Sequence, residues 1–396
     1  MRIVVHDYAG HPFAPSLSRE LARRGHSVIH VFASSLQTPR GALTHREGDP
    51  PNLEFHEVAM DPDYPRFKYS FVRRRRMEIA YGKKVAALVR RWKPEAVLSG
   101  NTPTETQGPI VKASVACGAR FCYWVQDFYS LAVERLLKKK IPVLGAWLGQ
   151  YYRHLDLKQF RDSHRIVTIT ADFNPILEAE FGVDAHRVDV VPNWAVIEEL
   201  PVGEKDNRWS RRHGLHNSFV FLYTGTIGMK HNPAMLLELA RQHRDDPHVR
   251  VVVVSEGLGA DWLRREGAGL ENLLILPYQP FEDLPQVLAT GDVLVALLEE
   301  EAGVFSVPSK ILAYHCAGRP LLMAVPSANL ASRIVADHGS GLTVEPGDQP
   351  GFLATARRLK EDDTLRHQAG SRARRYAEET FRIGPITDEF ERILGE

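Results

Sequence analysis

Short apolar runs recur along the whole chain, and each one ends at a glycine, a proline or a polar residue. The clearest runs are residues 2–6, 27–33, 121–126, 165–170, 219–223, 249–254 and 292–298. Runs without polar–apolar alternation are typical of strands covered on both faces, as in a parallel sheet flanked by helices. Between the first two runs, Leu17 and Leu21 have helical spacing and Gly25 provides a stop. The pattern therefore predicts an α/β chain.

The runs fall into two sets, joined near residues 192–207. A chain of 396 residues with 44% hydrophobic composition is too long for one ordinary core and suits two domains of roughly 200 residues each. We therefore predict two Rossmann-like, doubly wound domains that face each other across a cleft, with ligands at the carboxyl ends of the strands. The predicted domains are residues 1–195 and 196–375, and a C-terminal helix at 376–396 is expected to pack back on the first domain.

Charge and cysteine content exclude several classes of protein. The formal net charge is +1, so the chain lacks the basic field expected of a nucleic-acid-binding protein. Cys117, Cys122 and Cys316 form neither a disulfide framework nor a zinc motif, and they suit a reducing cytosol. No apolar segment reaches the ~18 residues of a spanning helix, and no signal peptide is evident. We expect a protein that is soluble or peripheral.

The segment from Tyr223 to Lys230 (YTGTIGMK) follows a predicted strand and contains two glycines. Glycine lets the backbone approach a phosphate closely, and a following helix presents unpaired N–H groups. Lys230 would add a positive charge for a diphosphate. A plain strand-to-helix turn with a surface lysine is the alternative interpretation.

Ser309 and Lys310 lie in the first turn of another predicted helix, directly after Pro308. A hydroxyl, backbone donors and an ammonium at one helix start form an anion site. Alone, this segment also fits a serine cap beside a solvated lysine. Because two such segments occur in the same predicted domain, each after a strand, we favour a diphosphate held between them.

Four motifs follow one another in the second half of the chain: TGTIGMKHNPAMLLELA, SEGLGADWL, ILPYQPFEDLPQVLATGDVLVALL and SVPSKILAYHCAGRPLL. Their order and spacing resemble retaining glycosyltransferase family 4, and most of all its exopolysaccharide and O-antigen enzymes of the WbuB type. The first half is similar more loosely, through ELARRGHSV, WVQDFYSLAV and VVPNWA. The resemblance implies the GT-B fold and sugar transfer from a nucleotide sugar.

The resemblance also implies a donor-binding site. Glu256 and Gly257 fit the turn near the nucleotide, whereas Tyr278 and Gln279 fit the loop that lines the base. Lys230 matches a lysine that contacts the donor diphosphate. The full implied donor-binding set is Gly225, Thr226, Lys230, Glu256, Gly257, Tyr278, Gln279, Ser309 and Lys310.

The chain departs from the family pattern at three positions. Many relatives carry two glutamates eight positions apart, and these positions are Phe305 and Ala313 here. The second glutamate usually holds the ribose, so ribose recognition is left without an assigned residue. Many relatives also have an arginine where this chain has Thr226, a charge that Lys310 could replace. Because the PSK subgroup often lacks the second glutamate, these changes do not indicate loss of activity.

Transfer with retention in this fold usually needs no metal, because fixed cations and N–H groups can stabilise the leaving diphosphate. We predict Lys230 and Lys310 as the electrostatic pair. Asp127 would contact the transferring sugar or help to deprotonate the acceptor, with an ordinary strand-end aspartate as the alternative. The acidic residues 299–301 fit a solvated loop better than a carboxylate site.

Two stretches of the first half, residues 66–93 and 131–154, interleave basic and aromatic residues. Cations beside tryptophan and aliphatic residues suit an interfacial element on anionic lipid. Such stretches can also bind RNA or form a solvated helix face, but the near-zero net charge argues against RNA. We therefore predict contact with an anionic membrane surface and no nucleic-acid partner.

These observations predict a metal-independent transferase with no required cofactor. Its expected donor is a UDP-linked nucleotide sugar, and its expected acceptor is a polyprenyl-diphosphate-linked saccharide of cell-surface polysaccharide synthesis. The expected location is the cytoplasm, peripheral on the inner face of the cytoplasmic membrane. One alternative is a UDP-N-acetylhexosamine 2-epimerase of the same fold. Another is a non-catalytic nucleotide-binding subunit, for which Phe305 and Ala313 are the best support.

Overall fold

The computed structural model describes residues 1–34, 41–67, 70–131, 134, 142–228, 231–303 and 306–396. The chain divides into two compact units. Unit 1 comprises Met1–Asn193 together with Ile383–Glu396, and unit 2 comprises Trp194–Arg382. The predicted α/β class with two parallel sheets is confirmed, since each unit contains one such sheet.

The described strands and helices alternate along most of the chain, as the pattern of apolar runs predicts. The strands are β1 (Arg2–Asp7), β2 (Ser27–Ala33), β3 (Leu53–Val58), β4 (Ala96–Gly100), β5 (Arg120–Val125), β6 (Arg165–Thr168), β7 (Val188–Val190), β8 (Phe219–Thr224), β9 (Val249–Val254), β10 (Leu273–Leu276), β11 (Val293–Leu297), β12 (Leu321–Ala324) and β13 (Gly341–Val344). The helices are α1 (Phe13–Arg23), α2 (Tyr64–Phe67), α3 (Phe71–Trp92), α4 (Thr104–Ala116), α5 (Pro142–Asp162), α6 (Asn174–Phe181), α7 (Arg208–Arg212), α8 (Ala234–Gln242), α9 (Leu258–Glu266), α10 (Leu284–Thr290), α11 (Glu300–Gly303), α12 (Lys310–Cys316), α13 (Leu330–His338), α14 (Gln349–Glu361), α15 (Asp363–Thr380) and α16 (Ile383–Gly395). Single 3₁₀ turns lie at Ala171–Phe173, Ala185–Arg187, Ile197–Glu199 and Phe281–Asp283.

The sheet of unit 1 has, in the part of the chain described, the strand order β3-β2-β1-β4-β5-β6-β7. Every neighbouring pair is parallel; Val4, for example, lies opposite Ile29 on β2 and Val97 on β4. The order reverses between β1 and β4, which makes this pair the topological switch point of the sheet. Ligands of such sheets bind beyond the carboxyl ends of the strands at this point.

Helix α1 shows how the local sequence produces the α/β unit. Leu17 and Leu21 are fully buried, and each buried leucine of this kind stabilises the fold by roughly 1.5–3 kcal/mol. The chain leaves the helix through Gly25, whose φ of +91° lies in the left-handed region that favours glycine. The strand β2 then starts at Ser27 and pairs with β1.

Helix α16 belongs to unit 1, although it follows the whole of unit 2 in the sequence. The Phe390 ring packs edge-on against Trp124 of β5, with 5.1 Å between ring centroids. Glu391 accepts hydrogen bonds from Arg24 at 2.5 Å and from His26 at 2.7 Å. The apolar face and these charged contacts hold the C-terminal segment on the first sheet and α1.

The sheet of unit 2 has the order β10-β9-β8-β11-β12-β13 among the strands described, and all pairs are parallel. Its switch point lies between β8 and β11, where Phe221 pairs with Val293. The central strands are buried almost completely, which explains their uninterrupted apolar sequence. Helices α8 and α14 pack on this sheet through Leu236, Leu239 and Phe352, each fully buried.

Candidate functional site

The carboxyl ends of β8 and β11 meet at the switch point of unit 2. Strand β8 ends at Thr224 and continues into Gly225, and β11 ends at Leu297, two residues before Glu299. Both ends are followed by loops rather than by further strand, so the crevice that a parallel sheet forms here lies between two loops. This position is where the sequence motifs place the donor-binding residues.

Two buried tyrosines hold the end of β8 in place. The Tyr314 hydroxyl accepts a hydrogen bond from the backbone N–H of Thr224 at 2.9 Å and donates to the Val295 carbonyl at 3.2 Å. The Tyr223 hydroxyl donates to the Thr226 carbonyl at 3.1 Å. Burial raises the pKa of Tyr314 to about 12, so its hydroxyl stays protonated at neutral pH. The loop after β8 is therefore fixed by the core beneath it.

Gly225, one of the glycines predicted to let the loop backbone approach a phosphate, has a backbone conformation that favours glycine. Its φ is +101°. A β-carbon at this position would lie 3.5 Å from Cε and 3.7 Å from Nζ of Lys310. The lysine side chain thus runs directly beneath the glycine.

Lys310 is the first residue of α12, as the sequence predicts, but its ammonium does not extend into solvent. Part of the residue is accessible, whereas Nζ itself is buried and has no hydrogen-bond partner among the described residues. Nζ lies 3.5 Å from the centroid of the Tyr223 ring, a cation–π distance. Desolvation lowers the pKa of Lys310 well below its usual range. The alternative interpretation, a serine cap beside a solvated lysine, therefore does not fit this burial.

Ser309 precedes α12, is exposed, and makes no side-chain capping hydrogen bond. The helix itself spans seven residues, Lys310–Cys316. Because so short a helix has little dipole of its own, the buried ammonium is the stronger attraction for an anion here.

Three other predicted residues meet at one edge of this crevice. The hydroxyls of Thr226 and Tyr278 are hydrogen-bonded to each other. The backbone N–H of Tyr278 donates to a Glu256 carboxylate oxygen at 3.4 Å. Gly257, which follows, has a φ of +101°. The loops after β8, β9 and β10 are thereby joined at the carboxyl edge of the sheet.

Gln279, which the sequence places in the loop lining the base, is held by two hydrogen bonds within unit 2. Its Oε1 accepts a hydrogen bond from the Trp209 indole at 2.9 Å, and its Nε2 donates to the Pro277 carbonyl at 2.9 Å. Both ends of the amide are therefore occupied within unit 2. Its role in this structure is to shape the loop that carries Tyr278.

Two residues of the predicted site, Lys230 and Phe305, lie outside the described residues. Ala313 lies one turn into α12 and is partly exposed, with a methyl group where many relatives have a carboxylate. Asp127 belongs to unit 1, where it is exposed just beyond the end of β5. The structure thus gathers most of the predicted residues in unit 2 and places Asp127 at the carboxyl edge of the other sheet.

Glu299 lies nearer to the switch point than a solvated acidic loop would suggest. It is half-buried, and its pKa is raised by desolvation and by the neighbouring Glu301, while a hydrogen bond with Asn232 opposes the shift. The sequence indicated this place, because Glu299 directly follows the predicted strand 292–298. The two acidic residues after it favoured the interpretation as a solvated loop.

The switch point of unit 1 also contains residues that sequence reasoning missed. Asp7, the last residue of β1, is buried, and burial raises its pKa. Its carboxylate accepts hydrogen bonds from the Asn101 amide at 2.9 Å and from the His11 backbone N–H at 2.5 Å. Asn101 follows β4 with a φ of +50°. The sequence could have indicated this pair, because Asp7 and Asn101 are polar residues at the carboxyl ends of two strands.

The basic run at the start of α3 does not form one solvated face. Arg74 donates to the Tyr129 hydroxyl and lies 3.6 Å from Glu78, whereas Arg75 pairs with Glu105 at 3.0 Å. Burial raises the pKa of Glu78 to about 7. Two of the four arginines are therefore engaged inside unit 1.

Arg73 and Arg76 remain exposed on α3, beside Val72 with 65% of its surface accessible. On α5, Trp147 is 70% accessible. Residues 132–133 and 135–141 of the second basic stretch lie outside the described residues. No helix in the described part of the chain is long and apolar enough to cross a membrane.

Within the same described residues, no group of three or more His, Cys, Asp or Glu side chains is arranged to hold a metal ion. The cysteines are free thiols, and burial raises the pKa of Cys122 and of Cys316 to about 12.

Comparisons with known proteins agree with this arrangement. A glycosyl transferase 4-like domain matches residues 10–194, and a glycosyl transferases group 1 domain matches residues 218–362. The fold and these two matches define a glycosyltransferase of the GT-B type. The chain belongs to the glycosyl transferases that combine these two domains.

One curated relative is WcaI of Escherichia coli, named for glycosyl transfer in colanic acid biosynthesis. It is 26% identical over 305 residues, covering 74% of this chain and 72% of that protein. Among solved structures, HepE from Anabaena in complex with UDP and glucose has a TM-score of 0.71 and 15% identity, with 100% of both chains covered. Sucrose-phosphate synthase from Thermosynechococcus elongatus has a TM-score of 0.73 and 12% identity, covering 99% and 98% of the chains. The two structural likenesses support the fold.

Proposed function

We propose that this enzyme transfers a sugar, with retention of configuration, from a UDP-sugar to a polyprenyl-diphosphate-linked saccharide during synthesis of a cell-surface polysaccharide. In this proposal, unit 2 binds the donor and unit 1 binds the acceptor. The colanic acid biosynthesis named for WcaI and the UDP bound to HepE support the polymer and the donor, respectively.

The observation that carries the proposal is the buried ammonium of Lys310 at the switch point of unit 2. It has no acceptor among the described residues, and a β-carbon on Gly225 would lie 3.7 Å from it. A buried cation without a partner is costly unless an anion completes the site. A diphosphate lying on the Gly225 loop would supply that anion, and Lys230 would add a second charge from the same loop.

The other donor contacts follow from the loops that meet at this edge. Thr226 and Tyr278 would line the nucleoside beside Glu256 and Gly257, with Gln279 shaping the loop. Ser309 would donate its free hydroxyl to a phosphate oxygen. Charge that develops on the leaving diphosphate would be stabilised by Lys310 and Lys230, so no metal is required for that role.

On the acceptor side, Asp127 is the proposed polar contact to the sugar or to the acceptor hydroxyl. Its exposure at the carboxyl end of β5 leaves it accessible to a substrate.

The proposed contact with anionic lipid is an exposed group of residues, called here the interfacial patch, that comprises Val72, Arg73, Arg76 and Trp147. Cations beside exposed tryptophan and aliphatic side chains are typical of such contacts. The Arg75–Tyr151 hydrogen bond of 2.6 Å joins α3 to α5 one turn away from this patch.

The test is a titration of the purified protein with UDP, GDP and ADP, followed by a transfer assay with a panel of UDP-sugars and a lipid-diphosphate saccharide. We expect UDP to bind more tightly than GDP or ADP and the Lys310→Met variant to lose at least tenfold in UDP affinity. Lys360→Met is the matched control, because Lys360 is paired with Asp246 on the surface of unit 2. Unchanged UDP affinity in Lys310→Met, or no binding of any nucleotide, would remove Lys310 from the donor site.

A further inference from the structure

The surroundings of the Lys310 ammonium offer an aromatic ring and no oxygen acceptor. Nζ is buried, lies 3.5 Å from the Tyr223 ring centroid and has no hydrogen-bond partner among the described residues. An unpaired ammonium in such a place is strongly destabilised relative to the neutral amine. The empty site therefore favours the uncharged form of this lysine.

The titratable groups that interact with Tyr223, the ring in contact with Nζ of Lys310, are the phenols of Tyr314 and Tyr278. Tyr223 lies on β8, Tyr314 lies one turn further along α12, and Tyr278 follows β10. Burial raises the pKa of Tyr223 well above its usual range and that of Tyr314 to about 12. The hydroxyls of Tyr223 and Tyr314 therefore stay neutral near pH 7 and cannot serve as counter-ions.

The carboxylates at the same edge of the sheet have other partners. Glu256 accepts a hydrogen bond from the Tyr278 backbone, and Glu299 is hydrogen-bonded to Asn232. Neither forms an ion pair with Lys310 in the part of the chain that the structure describes. A negative charge for Lys310 must therefore come from a ligand.

We infer that the diphosphate of the donor is the counter-ion of Lys310, and that its binding takes up a proton from solvent at Nζ. The inference rests on the proposed function and adds that donor binding is coupled to the uptake of one proton. Phosphate oxygens entering the crevice beneath the Gly225 loop provide the acceptors that the empty site lacks. The amine gains a proton as they arrive, and it returns that proton to solvent when the nucleoside diphosphate leaves.

The direction of the pH dependence follows from this linkage. Desolvation lowers the pKa of Lys310 in the free protein, and a bound diphosphate raises it again. Between these two pKa values the complex holds a proton that the free protein lacks. UDP affinity therefore falls as pH rises through this window, by at most about tenfold per pH unit for one proton.

The experiment is calorimetric titration with UDP in pairs of buffers that differ in their enthalpy of ionisation. Measurements run from about pH 7.5 to about pH 9.5, because the UDP phosphate itself titrates near pH 6. The dependence of the observed heat on the buffer gives the number of protons taken up. We expect uptake that approaches about one proton per UDP bound, and none with uridine, which lacks the diphosphate.

Two variants test whether Lys310 is the group that takes up the proton. Lys310→Met has no titratable group, and Lys310→Arg keeps a side chain that is charged at every pH of the experiment. Residual UDP binding to either variant should occur without proton uptake, whereas the control Lys360→Met should behave as the wild type. The arginine variant keeps the test decisive if the methionine variant folds poorly.

The outcomes separate the two proposals. UDP binding to the wild type without proton uptake at any pH overturns the linkage and leaves the donor site intact. Equal uptake in the wild type and Lys310→Arg assigns the proton to another group and overturns the linkage as well. Absence of UDP binding to the wild type refutes the proposed donor site itself.

Discussion

The side-chain amide of Asn101 donates a 2.9 Å hydrogen bond to the buried carboxylate of Asp7, and this bond joins the loops after β1 and β4. Asn101 holds this position with a φ of +50°, which is unusual for a residue with a side chain. The backbone N–H of His11 donates to the other oxygen of the same carboxylate. One buried acid thus fixes both loops at the switch point of unit 1.

Two substitutions of Asn101 distinguish the contribution of its hydrogen bond to stability from that of its backbone conformation. Asn101→Gly keeps the left-handed backbone but leaves Asp7 without one donor, at a cost of roughly 1–3 kcal/mol. Asn101→Ala should lose about 1 kcal/mol more, because alanine disfavours this conformation. Thermal unfolding midpoints of the two variants and the wild type measure both effects. A glycine variant as stable as the wild type would show that the Asp7 contact contributes little.

Lys310→Met should stabilise the free protein as well as weaken UDP binding. The folded pKa of Lys310 lies below its unfolded value, so the unfolded chain binds more protons between the two values. Wild-type stability therefore rises with pH through that window, and the methionine variant lacks this rise. Urea unfolding at several pH values measures the difference. A parallel pH dependence in both proteins would contradict the desolvated environment of Nζ.

Glu78→Gln should change the pH dependence of stability in the opposite direction. Burial raises the folded pKa of Glu78 to about 7, so the folded protein retains a proton that the unfolded chain loses from about pH 4.5 upward. The contribution of Glu78 to stability is therefore full below pH 4.5 and lost as pH rises through 7. We expect the glutamine variant to match the wild type near pH 4.5 and to exceed it by up to roughly 3 kcal/mol at pH 8. The exposed Glu57→Gln is the control for urea unfolding at both pH values.

The four consecutive arginines near the start of α3 should separate into two functional pairs. Arg73→Gln with Arg76→Gln should weaken binding to anionic vesicles by up to about 30-fold, at ~1 kcal/mol per cation near the surface. Arg74→Gln with Arg75→Gln should instead lower the thermal unfolding midpoint, because their partners Glu78 and Glu105 are buried. Vesicle cosedimentation and thermal unfolding distinguish the pairs. Equal vesicle binding by all variants would rule out the interfacial patch.

The sequence alone determined the order of the secondary-structure elements and the class of fold. Local patterns carry this information, since apolar runs of strand length and helical spacing depend on residues close in the chain. The sequence also predicts a phosphate site at the loops after β8 and before α12, and this remains a prediction. Alternation of strands and helices along the sequence predicts a parallel sheet, and a parallel sheet has the carboxyl ends of all its strands at one edge.

Only the tertiary structure decided which side chains face inward. The run of four arginines is uniform in sequence, yet Arg74 and Arg75 are partly buried and pair with buried acids supplied by helical packing. The position of Lys310 over Tyr223 depends on a contact across 87 residues, and α16 returns to unit 1 after the whole of unit 2. Burial and charge pairing arise between segments distant in the chain, so no local pattern encodes them. That long-range packing buries the Lys310 amine against an aromatic ring, where no described residue accepts a hydrogen bond from it.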